Sequence, residues 1–159
     1  MIQKLRTLFA DERGTSLIEL ALATPIFAAL LTGMVDISRA YSEKLQLEQA
    51  AQRAIERVMN RQMATTSYNT LKAEAADQAD VDQSDVTVDY WLECNGTRQG
   101  DGTPGNGYDT SCSPGQIQAR YLSVEVQKDF LPIFGTKYFP GANTDGTYTI
   151  TSEAGIRTQ

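Results

Sequence analysis

Histidine is absent from all 159 residues, which removes the commonest general base and the commonest metal ligand before any fold is considered. Cysteine is nearly as scarce. Cys94 and Cys112 make neither a C-x-x-C motif nor a metal quartet, so thiol-redox and zinc chemistry fall away too. Basic residues number 14 against 20 acidic ones, and a formal charge of −6 argues against nucleic acid as a partner. No nucleophile stands at a recognisable spacing from a base. The composition therefore predicts a protein that is not an enzyme and that needs no metal or cofactor.

Charge is missing above all from residues 17–35, where Glu19 is the one ionisable side chain. At about 1.5 Å of rise per residue this run covers roughly 28 Å as a helix, enough to span a bilayer. A carboxylate in such a segment costs on the order of 2.5–3.5 kcal/mol at the bilayer centre and less near an interface. Glu19 thus requires a partner or a purpose.

What is present supplies one. Gly14 is followed by four residues and then Glu19, and the pair sits between a short leader carrying Lys4, Arg6 and Arg13 and the apolar run. Glu-Leu-Ala-Leu-Ala-Thr-Pro occupies 19–25 and Gly-Met-Val-Asp-Ile-Ser-Arg-Ala occupies 33–40. Over residues 14–40 this pattern resembles the TadE-like pseudopilins of the tight-adherence (Tad/Flp) type IV pilus system. Two positions depart from the family's habit: Leu20 stands where an aromatic often follows the glutamate, and Ser38 where glycine is common before the arginine. The first departure, together with the length of the chain, points to a minor component and away from the major pilin.

The resemblance implies that a membrane-embedded prepilin peptidase cuts between Gly14 and Thr15, leaving the apolar helix on the product. Glu19 becomes the fifth residue, and its carboxylate neutralises the Thr15 ammonium of its own or a neighbouring subunit. Removing residues 1–14 leaves 11 basic and 18 acidic side chains, a charge of −7. The implied partners are the peptidase, other pilin or pseudopilin subunits, the inner-membrane pilus assembly platform and membrane lipid. The implied location is the bacterial inner membrane, crossed once, with the N-terminus cytoplasmic and the C-terminal domain periplasmic or carried into a pilus. The implied role is biogenesis or priming of a pilus used for adherence.

Two other readings of these residues stay open. Ser38-Arg39-Ala40 places small residues where signal peptidase prefers them, so a start at Tyr41 would give a secreted or membrane-tethered binding module. Against it, the apolar run exceeds a usual signal core, and Asp36 and Arg39 follow it directly. Glu19 would also serve as a helix-interface carboxylate in a simple anchor.

The chain divides by pattern into a leader at 1–14, a transmembrane helix at 15–36 and an extracytoplasmic domain at 37–159. Between 36 and 63, Ile37, Tyr41, Leu45, Ala51, Ile55, Val58 and Met59 recur at helical steps, so the membrane helix continues outward to make one element over about 16–62. That stripe would rest on a sheet or serve a coiled-coil partner. Pro25 and Gly33 lie inside the span, and Ala21, Ala23 and Gly33 would permit close approach between helices. A short helix is expected over 71–79, capped by Ser67 or Asn69.

The period then changes to two. Val86, Val88, Tyr90, Leu92 and Cys94 share a face; residues 119–130 and 148–156 repeat the alternation. Asp89, Glu93, Glu125 and Glu153 fall on the outward phase, as a solvated face far more than as a catalytic carboxylate pair. The expected fold class is α+β: a long N-terminal transmembrane-plus-amphipathic helix packed on a small antiparallel sheet of about three or four strands, as in pilins. In an exported domain Cys94 and Cys112 are expected to form a disulfide contributing roughly 3 kcal/mol; in a cytosolic one they would be free thiols. The loop at 95–116 holds half of the twelve glycines. It reads as a recognition loop or a plain connection, and its Asp101 and Asp109 hint at calcium without matching an EF-hand. Ile133, Phe134, Tyr138 and Phe139 make a second loop apolar, to tuck under the sheet or to form a partner patch.

Overall fold

A computed structural model describes residues 15–60, 68–133 and 140–158. Residues 1–14, including Gly14 of the expected cleavage site, lie outside the described residues, as do Ser67, Phe134, Tyr138 and Phe139. The elements are helix α1 (Thr15–Asn60), helix α2 (Tyr68–Ala79), a 3₁₀ turn (Gln83–Asp85), and strands β1 (Val86–Cys94), β2 (Thr97–Arg98), β3 (Gln118–Phe130) and β4 (Tyr148–Arg157). They form two compact units, one ending at Arg39 and one beginning at Ala40.

In the first unit the residues of α1 are helical without interruption, Pro25 included. Proline leaves the carbonyl four residues earlier without its usual donor, and threonine hydroxyls near it engage the backbone. Thr24 Oγ1 donates to Leu20 O at 2.6 Å, and Thr32 Oγ1 to Ala28 O at 2.9 Å. Leu17, Leu20, Leu22, Ile26, Phe27, Leu30, Leu31 and Met34 are all more than 60% exposed. So much unburied apolar surface on one helix is stable only against lipid or other helices. Asp36 and Arg39 pair at 3.5 Å where the apolar run ends.

The second unit is built on a sheet of order β2-β1-β3-β4, every neighbouring pair antiparallel. β1 pairs with β3 from Val86↔Val126 to Cys94↔Gln118, and β3 pairs with β4 from Tyr121↔Arg157 to Phe130↔Tyr148. This register puts Val86, Leu92, Leu122, Val124 and Val126 on one face, all 0% exposed, and all but Leu92 form one core cluster with Leu47, Ala50, Ala51, Ala54, Ile55 and Val58 of α1. Leu71, Ala75, Ala76 and Ala79 of α2 complete the core. The alanines let both helices approach the sheet closely, while each buried leucine or valine contributes roughly 1.5–3 kcal/mol.

The helix stripe differs from its sequence reading. Ala51, Ile55 and Val58 are buried as expected, but Ile37, Tyr41 and Met59 are 73%, 65% and 65% exposed and Leu45 is 38% exposed. Leu47, with Ala50 and Ala54, holds the inward position instead. The four-residue steps of Ile37, Tyr41 and Leu45 mark a second face of the helix, which periodicity merges with the first. Asn69 is likewise not a cap, since α2 already begins at Tyr68. β2 was not anticipated; two residues carry no periodicity to read.

Candidate functional site

Thr15 opens α1, and Glu19 lies four residues on, so the two positions share one helix face a single turn apart. Glu19 is exposed, and among the described residues no cation meets it. Gly33 has the complementary property: a Cβ built there meets nothing within 4 Å. This fold does not itself require glycine at 33, so any need for close approach arises from another helix.

The cysteines are joined as expected, Cys94 at the end of β1 to Cys112, with Cα atoms 5.6 Å apart. The loop between them is not a free appendage. Gln99 N donates to Leu92 O and Gly105 N to Tyr90 O, both at 2.8 Å, so the loop runs along the outer edge of β1. Asn95 Oδ1 accepts from Ile117 N at 2.8 Å and closes the base of the loop. Tyr108 meets Tyr90 edge-to-face at 5.3 Å and packs against the core. Arg120 lies over the Tyr108 ring at 5.5 Å and donates through Nε to Tyr108 O and through a terminal nitrogen to Thr110 O. Gly105 sits at φ +78°, and a Cβ there would stand 2.5 Å from the Tyr90 ring. Glycine at 105 thus lets the loop backbone press onto the sheet.

The outward acidic residues have separate fates. Asp89 accepts from both terminal guanidinium nitrogens of Arg98, at 2.9 and 3.0 Å. Arg98 also lies 5.0 Å over Trp91, which stacks on Tyr121 at 5.3 Å and donates from its indole nitrogen to Glu93. Sequence alternation placed Trp91 and Asp89 on this face but gave no sign of Arg98, because its position depends on β2. Glu125 and Glu153 face each other across β3 and β4, both exposed, a like-charge pair that costs a fraction of a kcal/mol.

Asp101 and Asp145 each begin an Asp-Gly-Thr turn. The Thr103 hydroxyl, then its N–H, holds Asp101 below the usual carboxylate range; the Thr147 N–H, then its hydroxyl, does the same for Asp145. A depressed carboxylate favours the fold above its unfolded pKa and loses that contribution as pH falls through the folded value. Asp101 is thereby committed to its own turn, and among the described residues no group of three His, Cys, Asp or Glu is placed to hold a metal.

One helix among the described residues is long and apolar enough to cross a membrane, and none of its apolar window is buried. This fits a single-pass membrane protein. No curated protein and no solved structure matches the chain. The family model of TadE-like protein matches residues 14–55, which run from Gly14 through Glu19 and the apolar run into the part of α1 that lies on the sheet. Over residues 14–55 this chain is similar to TadE-like proteins, a likeness consistent with a protein of the Tad pilus system.

Proposed function

We propose that the chain is a minor pilin-like subunit, cut after Gly14 by a prepilin peptidase and acting in biogenesis or priming of a Tad-type pilus. It is a peptidase substrate and not an enzyme. The observation that carries this reading is Glu19, exposed one turn into a helix that carries no other charge as far as Val35, at the head of the matched segment. After cleavage the Thr15 α-ammonium lies on the same helix face as that carboxylate. Each charge is costly alone in lipid, and the pair, within or between subunits, removes most of that cost.

The leader stays in the cytoplasm because its three basic residues resist translocation, so the domain beyond Arg39 is periplasmic in this scheme. The disulfide suits that compartment. Partners are the peptidase, other pilin or pseudopilin subunits and the inner-membrane assembly platform.

Replacing Glu19 tests the pairing apart from the cleavage. Glu19→Leu is expected to be cut and to remain in the membrane, yet to enter assemblies at least tenfold less, because an ammonium without its partner is left among apolar helices. Cross-linking of subunits in membranes from pilus-forming cells measures this. Normal assembly of the variant would remove Glu19 from the account.

A further inference from the structure

We propose that the free edge of β4 is a docking site for an extended strand of another protein chain, added antiparallel as a fifth strand of the sheet. The hydrogen-bond phase of β4 fixes which groups are offered. Thr158 N donates to Arg120 O at 2.7 Å, and the register continues through Leu122↔Ile156 and Val124↔Ala154. The even-numbered residues of β4 therefore bond to β3, and Thr149, Thr151, Glu153 and Gly155 turn their N–H and C=O groups away from it. Among the described residues, one contact reaches these groups: the Lys44 ammonium donates to Thr151 O.

The opposite edge of the sheet is closed. Cys94 pairs with Thr97 of β2, and the loop supplies Gln99 N and Gly105 N to Leu92 O and Tyr90 O. β4 has few such protections. Its ten residues contain no proline, and its one-to-one register with β3 contains no bulge. The core is also unfinished beneath it: Tyr148, Ile150, Ala154 and Ile156 point toward the helix side but remain half-buried. An incoming strand with apolar residues in the same phase would cover them.

Charge defines that strand further. Glu153 opposes Glu125 at a non-hydrogen-bonded site, where side chains approach most closely, so a basic residue opposite Glu153 on the new strand would relieve a like-charge pair. Lys44 must leave Thr151 O, and Glu48, 3.7 Å from its ammonium, is placed to take it.

A second copy does not fit this edge. Antiparallel self-pairing requires a two-fold axis normal to the sheet, and α1 lies over the sheet from Leu47 to Val58. In the register centred on Glu153 that axis would set the Glu153 side chains of the two copies opposite one another, adding a second like-charge pair beside Glu125. Parallel self-pairing turns the mate over and places its polar face beside Ile150 and Ile156. The occupant is thus a foreign strand of alternating apolar and polar residues with a central base.

The test uses the full chain in detergent micelles and the synthetic peptide Thr-Val-Thr-Val-Lys-Val-Thr-Val-Thr at millimolar concentration, read by amide hydrogen exchange. The peptide is expected to slow exchange at Thr149, Thr151, Glu153 and Gly155 at least tenfold. Lys44→Met should strengthen this protection, and exchanging the peptide's lysine for glutamate should weaken it. Glu153→Pro removes one edge-facing N–H and no bond to β3, so it should abolish the protection while Leu122 and Val124 amides stay slow. Three results would overturn the proposal: no protection by the peptide, protection that survives Glu153→Pro, or edge amides already slowed without peptide in a concentration-dependent way, which would make the occupant a second copy.

Discussion

A Gly14→Val chain accumulates in the membrane at its precursor mass and contributes nothing to pilus assembly. The expectation follows from the proposed maturation. A peptidase that cuts beside Gly14 must draw extended backbone into its site, and a branched side chain at that position keeps the scissile carbonyl out of reach. Displacement on the order of 1 Å lowers a rate by about a hundredfold. The uncut chain has two further handicaps. Lys4, Arg6 and Arg13 remain attached and hold the helix to the cytoplasmic face, and no Thr15 ammonium exists to meet Glu19. Intact mass of the membrane fraction, alongside surface piliation, checks both parts. Normal maturation of the variant would favour a secreted or tethered binding module, in which Glu19 is incidental.

The second large effect concerns stability. Leu122→Ala is expected to lower unfolding free energy by about 2–5 kcal/mol, since Leu122 is 0% exposed at the centre of β3, in the cluster that joins α1 and α2 to the sheet. Trp91 is the single tryptophan and stands on the other face of the same strands, so urea unfolding in micelles can be followed by its fluorescence. Ile117→Ala, at a position 72% exposed, should change stability by less than about 0.5 kcal/mol. Equal effects at the two sites would mean that the face assigned to the core is wrong.

Much of this was legible in the residues because it depends on short-range patterns. The apolar run and its lone Glu19, the change of period from helix to strand near Val86, and the even pair Cys94 and Cys112 are all local signals, and α1, β1, β3, β4 and the disulfide follow them. The failures arise where two faces or two distant segments must be told apart. Ile37, Tyr41 and Leu45 have helical spacing, but nothing local says that their face lies away from Leu47. The loop from Asn95 to Gln116 reads as a recognition loop or a plain connection, and nothing local says that Gly105 is needed because Tyr90 lies against it. Arg98 joins Asp89 and Trp91 only once β2 turns back on β1. The open edge of β4 is likewise a property of strand order, which pairs β4 with β3 and leaves its other side without a strand among the described residues. The matched segment ends at residue 55, before any strand begins, so the sheet had to be read from its own alternation.

The central claim is that Gly14 and Glu19 belong to one processing and pairing device at the head of α1. The N-terminal residue of the mature chain tests it most directly, by intact mass after expression with a prepilin peptidase. The account predicts a chain that begins at Thr15 and retains the whole apolar helix. A chain beginning at Tyr41 would contradict it, because signal peptidase would then have removed Glu19 together with the membrane segment.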